Sequence, residues 1–302
     1  MVHSRRDFLK NSAMAVAATG FVPGELLNAA KRKKITGIQL YSVRDDMARD
    51  PAGTLKQLAG MGYRYVEAAG YSGRKFYGYA PKDFLSLLNG LGLKMYSGHT
   101  VLKPEYWDTA KKDFTDEWKW TVDDAAAVGQ RYVISPWLDE TQRKSYDDVL
   151  HFMEVFNKSG ELCKRSGLKF GYHNHGFEFS VVLNDKKLYD IILQNTDPAL
   201  VAQQLDMGNL YDGGAVAIAI VLQYPGRFEL VHVKDMIKVT DGKEPYESCL
   251  LGQGVVDPKQ VMDQAKKTGG TTTFIIEQEQ YQGKAPLDCA KEDLAIVRKW
   301  GY

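Results

Sequence analysis

The sequence predicts an α/β protein: a (β/α)8 barrel, eight strand–helix units closed around one core. Three observations carry this. Eight short apolar runs rich in Val, Ile and Tyr alternate with helical patterns from residue 35 to the end of the chain. The runs are mostly continuous rather than alternating, as strands buried on both faces of a parallel sheet are. Glycines close several helices just before the next run, at Gly60-Met61-Gly62, Gly90-Leu91-Gly92, Gly129 and Gly167, where a left-handed C-cap favours glycine. A doubly wound sheet is the alternative, but no GxGxxG or GxxxxGK[ST] follows any strand. Gly252-Gln253-Gly254 lacks the third glycine and stands in a loop, which argues against a phosphate cradle.

In chain order the predicted strands are 35–41, 63–68, 93–97, 131–135, 168–173, 200–206, 228–233 and 272–277. Helices are predicted over 54–60, 82–90, 120–128, 146–166, 188–195, 216–223, 258–268 and 288–300. Ahead of them, Ser4-Arg5-Arg6-Asp7-Phe8-Leu9-Lys10 precedes a short, weakly apolar stretch that ends near Ala29-Ala30. It resembles a twin-arginine export signal, too short to span a bilayer. The expected organisation is a signal peptide over 1–30 and one barrel domain over 31–302, with a periplasmic location and no membrane partner after cleavage. No linker or low-complexity segment divides the remainder.

Composition removes several function classes. The chain has 302 residues, 44% hydrophobic and 25% charged, enough for a large core without staples. Lys plus Arg (39) nearly equals Asp plus Glu (38), so no basic surface for nucleic acid is expected. Without residues 1–30 the balance is 36 basic to 36 acidic. Cys163, Cys249 and Cys289 form no CxxC pair and leave an odd one, against a disulfide framework or a cysteine zinc site.

Catalytic groups of such a barrel project from the C-terminal ends of its strands. Those ends hold Glu67 (second), His99 (third), Trp137 (just past the fourth), His173, His175 and Glu178 (fifth and beyond), Asp206 (sixth), His232 and Lys234 (seventh) and Glu277 (eighth). Four of the six histidines fall there, and imidazoles with carboxylates on one rim make a site for a divalent metal. Each alone has an ordinary structural reading: a hydrogen-bonded histidine, or Asp206 as a helix cap. Glu277 ends the apolar run Thr273-Phe274-Ile275-Ile276 and needs a cationic partner to stay ionised. Trp137 and Trp107, on loops at that rim, are candidates to stack on a flat ligand face. Lys234 either stabilises an oxyanion or pairs with Asp235.

The chain resembles the sugar phosphate isomerase/epimerase family of xylose isomerase-like TIM barrels, which also includes inosose dehydratase and a family of apurinic endonucleases. The resemblance rests on Gly37-Ile-Gln-Leu-Tyr-Ser-Val-Arg44, Tyr172-His-Asn-His-Gly-Phe-Glu178, Leu205-Asp-Met-Gly-Asn209, Val231-His-Val-Lys-Asp235, Leu251-Gly-Gln-Gly-Val-Val-Asp257 and Ile276-Glu-Gln278. It implies one divalent ion (Mn, Co or Zn) on Asp206, His232, Glu277 and His173, the last standing where the epimerases carry glutamate. His175 is the alternative ligand on the fifth strand. With the rim chemistry, Glu277, Glu178 and Lys234 are the expected catalytic groups, and Glu67, His99, Trp137 and His175 the expected substrate contacts. Asn209 after the strand-six aspartate, and no histidine beyond His232, depart from the endonucleases and exclude DNA repair. The expected activity is isomerisation or epimerisation of a free sugar or keto-sugar by proton transfer beside a carbonyl. The alternatives are keto-sugar elimination of the inosose dehydratase kind and a non-catalytic carbohydrate-binding barrel.

Overall fold

Each apolar run becomes one stave of a closed parallel barrel in the computed structural model, which describes residues 35–240, 245–268 and 270–302. The strands are β1 (Ile35–Gln39), β2 (Tyr65–Ala68), β3 (Lys94–His99), β4 (Tyr132–Ser135), β5 (Lys169–His173), β6 (Val201–Asp206), β7 (Phe228–Val233) and β8 (Thr273–Ile276). They pair in chain order, and β8 closes on β1 with Ile35 opposite Thr273 and Ile38 opposite Ile276. The outer helices are α1 (Pro51–Met61), α2 (Pro81–Gly90), α3 (Asp116–Ala127), α4 (Tyr146–Arg165), α5 (Leu188–Asn195), α6 (Ala217–Gln223), α7 (Pro258–Lys267) and α8 (Pro286–Lys299). The signal expected over 1–30 lies outside the described residues. No described helix is long and apolar enough to cross a membrane.

Local chemistry sets the boundaries. Asp50 caps α1 by accepting from the Gly53 N–H at 3.0 Å, with Pro51 at the first helical position. Gly62 ends it at φ +106°, in left-handed space that a side chain would oppose. Helix α3 starts four residues before its predicted beginning, so Trp120 lies inside the helix. Strand β3 runs two residues past its predicted end and carries His99 on the stave, whereas Glu277 falls one residue beyond β8.

The alternation of strand side chains sorts the core in two. Inward, Ala202, Leu230 and Ile275 form a small apolar layer with Tyr132 at the barrel's lower end. Gly171 has no Cβ because one would sit 2.5 Å from Ile134 Cδ1. Outward, Phe170, Tyr172 and Val201 pack with α3, α4 and α5 around Trp118 and Phe156. Two residues further up each inward row, the apolar layer gives way to His173, Gln204, His232 and Glu277.

Four short antiparallel hairpins escaped the sequence reading: Tyr71–Ser72 with Lys75–Phe76, Trp107–Asp108 with Asp113–Phe114, Val182–Leu183 with Lys186–Lys187, and Asp235–Lys238 with Tyr246–Cys249. All four sit in loops that follow strands, on the face where sites form in this architecture.

Candidate metal centre and cavity

The floor of the site is a hydrogen-bonded set of inward side chains. Glu67, fully buried, accepts from Gln39 Nε2 at 2.8 Å, Gln204 Nε2 at 2.8 Å and the Ser97 hydroxyl. Its Oε1 lies 2.5 Å from His232 Nε2 and 3.1 Å from His99 Nε2. Burial opposes its charge, yet His99 and His232 hold its carboxyl far below the usual range. Gln204, oriented by its bond to Glu67, turns Oε1 toward His99 Nε2 at 2.7 Å and His173 Nδ1 at 3.1 Å. That oxygen can only accept, so His173 donates through Nδ1 and keeps a free lone pair on Nε2. Burial and three neighbouring imidazoles hold His173 neutral.

Above the floor, His173, Asp206, His232 and Glu277 are all buried and each offers a ligand atom within 4.8 Å of the others. His173 Nε2 is 3.9 Å from Asp206 Oδ2, and His232 Nδ1 is 3.8 Å from the same oxygen and 2.9 Å from Glu277 Oε2. Asp206 Oδ1 accepts from the Gly208 and Asn209 N–H groups, both at 2.8 Å. Oδ2 is buried without a well-aligned hydrogen bond, although Lys234 Nζ approaches to 3.0 Å. The Lys234 ammonium also meets Glu277 Oε2 at 2.8 Å, Glu279 Oε1 at 2.6 Å and Asn209 Oδ1 at 2.9 Å. Gly208 makes room for the lysine stem: a Cβ there would stand 2.8 Å from its Cγ and Cδ. Burial disfavours charge on His232, but Glu277 and Glu67 on its two nitrogens raise it to about 10. Four carboxylates thus face one ammonium and one imidazolium in a buried space. The excess negative charge, the free Nε2 lone pair of His173 and the misaligned Asp206 Oδ2 fit a divalent cation.

A cavity of about 770 Å³ opens over this centre. His99, His173, His175, Asn209, Glu277 and Glu279 line its inner end, and Trp137 its wall. Trp137 stacks edge-on against His175, with ring centroids 5.1 Å apart. Burial and the Lys234 charge lower His175 to about 4, so its ring is neutral at pH 7.

Several expected groups lie elsewhere. Glu67 does not line the cavity: it lies beneath His232 and His99, so a substrate contact there is corrected to a support for those rings. Glu178 points outward from the barrel, accepting from the Tyr172 hydroxyl and from the His175 N–H at 2.9 Å, and it too is absent from the cavity wall. Burial raises it to about 7. Lys234 is 1% exposed and held among carboxylates rather than aimed into the cavity, and its partners are Asp206, Glu277 and Glu279, not Asp235. Asp235 instead accepts from the Gly252, Gly254 and Val256 N–H groups, which occupies the donors a phosphate would need. Trp107 packs on Phe114 away from the cavity. Glu279 is the carboxylate that sequence reasoning missed, and its signal was the two-residue step from Glu277.

A parallel barrel with a buried His/Asp/Glu donor set beneath a cavity at its C-terminal rim is the architecture of a (β/α)8 enzyme with a candidate metal centre. Residues 55–300 match the family described as xylose isomerase-like TIM barrel, and the chain belongs to that family. An inosose dehydratase of Bacillus licheniformis is 26% identical over 262 residues, 78% of this chain and 84% of its own. A solved sugar phosphate isomerase/epimerase of Parabacteroides distasonis is 27% identical with a TM-score of 0.72, covering 89% of this chain and 95% of its own. The IolI protein, solved with a bound zinc atom, is 16% identical with a TM-score of 0.66 over 88% of this chain and 99% of its own, a likeness of fold alone.

Proposed function

We propose that the chain is a metal-dependent isomerase or epimerase that moves a proton beside the carbonyl of a free sugar or keto-sugar. One observation carries this reading: Glu277 belongs both to the buried four-residue donor set and to the cavity wall. His173 through Nε2, His232 through Nδ1, Asp206 and Glu277 would hold the ion. A divalent ion there supplies Lewis acidity that stabilises negative charge on the substrate oxygens. Burial opposes ionisation of Glu277, but Lys234 and His232 hold its carboxyl well below the usual range, so it is a carboxylate at neutral pH, the form that accepts a proton. Trp137 and His175 form the wall that orients the sugar, and His99 and Asn209 offer it polar contacts. Glu279, tied to Lys234, is the second carboxylate available for proton return.

Elimination from a keto-sugar is the second reading. It is favoured by asymmetry: carboxylates Glu277 and Glu279 stand on the β8 side, whereas the β5 side presents His173 and His175. The kinship with inosose dehydratase supports it. Both readings begin with the same proton abstraction. Sugars and keto-sugars incubated with the metal-loaded protein in D2O test the reading and separate its branches. Deuterium beside the carbonyl of an isomer or epimer supports the first, and an unsaturated product the second. No exchange and no product with any metal overturns both. We also propose that the protein acts in the periplasm, on the strength of the Arg5-Arg6 signal.

A further inference from the structure

The cavity is larger than one sugar ring needs, and its two ends differ in chemistry. Its volume of about 770 Å³ lies toward the upper part of the range for sites that enclose drug-sized ligands. Beyond the polar inner end it is lined by Tyr71, Arg74, Tyr106 and Trp120, supplied by the loops after β2 and β3 and by α3. Trp120 is 40% exposed and Trp137 39%, although both face this cavity. A large aromatic left open to water in a cavity wall marks a surface for an apolar ligand face.

The outer wall is a built one. Asp124, on α3 and buried, accepts from the Tyr71 hydroxyl at 2.8 Å and from Arg74 through Nη2 at 2.8 Å and Nε at 3.1 Å. The Arg74 guanidinium lies 5.3 Å over the Trp120 ring. To reach it, the turn of the first hairpin holds Gly73 at φ +55° and Arg74 at φ +62°, a left-handed backbone uncommon for arginine. Along this wall Arg74 is paired with Asp124 and Lys103 with Glu105 at 3.8 Å, while the Glu117 carboxylate stands exposed as a hydrogen-bond acceptor. What remains for a ligand is aromatic faces and hydrogen bonds, the chemistry that recognises a neutral sugar ring.

We infer that the outer half of the cavity is a subsite for a second ring, so that the substrate class is a glycoside or disaccharide rather than a monosaccharide. This rests on the sugar-processing role proposed for the same cavity. Glucose, cellobiose, maltose and glucose 6-phosphate, titrated calorimetrically into manganese-loaded protein, test it. At least one disaccharide should bind about tenfold more tightly than glucose, the scale of one aromatic stacking contact. Trp120→Ala should erase that advantage while leaving manganese affinity intact. Equal binding of glucose and both disaccharides, preference for the phosphate, or an advantage that survives Trp120→Ala overturns the subsite. Manganese binding without any sugar binding also overturns it. Failure to bind manganese as well removes the functional reading beneath it.

Discussion

Glu67→Gln separates a support for the metal centre from a substrate contact. The carboxylate accepts from Gln39, Ser97, Gln204 and His232 with no exposure to solvent. An amide in its place turns one acceptor into a donor. The Gln204 side chain cannot invert in response without losing His99 and His173 from its Oε1. One buried donor is therefore left unpaired, and the metal-free protein should lose about 1–3 kcal/mol of stability. The second effect is on metal affinity. A carboxylate behind a ligating imidazole typically strengthens binding 10–100-fold, about 1.4–2.7 kcal/mol. A proton opposes this. His232 sits near 10 in the metal-free fold, so an ion arriving at Nδ1 displaces a proton and wild-type affinity should rise with pH. Without the Glu67 charge that proton is lost more easily, so the variant's dependence on pH should be shallower. Manganese titration of chelator-stripped protein between about pH 6 and 8 reads both effects. The loss should be largest at the alkaline end and narrow toward acid. Unchanged affinity and slope together with a raised KM for sugar would place Glu67 against substrate and refute the network.

Three further outcomes follow from the same geometry. Glu277→Gln keeps shape but removes the proton acceptor, so turnover should fall about 10²–10⁴-fold even with the metal site saturated; full turnover on the true substrate would end the mechanism. Glu178, raised to about 7 in the fold, favours folding while protonated. That contribution is complete below its unfolded value near 4.5 and is lost as pH rises through about 7. Glu178→Gln should therefore match wild type at about pH 4 and exceed it by about 1–3 kcal/mol at about pH 8 in urea unfolding, with turnover largely kept. Arg5→Lys with Arg6→Lys should leave folded protein in the cytoplasm, and undiminished export in cell fractionation would mean another route.

The barrel was legible because eight buried strands and their glycine-ended helices leave repeated local signals. The donor set was legible because strand ends carry chemistry in this architecture. Position along the chain did not tell which way an end residue faces. Glu67 and His232 are both inward and fully buried, and Glu67 meets imidazoles rather than the cavity. Glu178 follows His173 and His175, yet the chain turns into the short helix Phe177–Ser180 and carries its carboxylate out beside Tyr172. Continuing the two-residue rhythm from Glu277 reaches Glu279, which the loop preserves. Trp120 was hidden for a different reason. It begins the predicted helix 120–128 with no partner in view along the chain, and only the hairpin that brings Arg74 over its ring reveals a cavity wall.

The central claim is a single divalent centre on β5 to β8, and metal stoichiometry tests it most directly. Chelator-stripped wild type, His173→Ala, His175→Ala, Asp206→Asn and His232→Ala should each be titrated with manganese, cobalt and zinc. The account predicts one ion per wild-type chain, strong loss of binding in the His173, Asp206 and His232 variants, and near-normal binding in His175→Ala. No binding by wild type, or binding untouched by all three ligand substitutions, would contradict it.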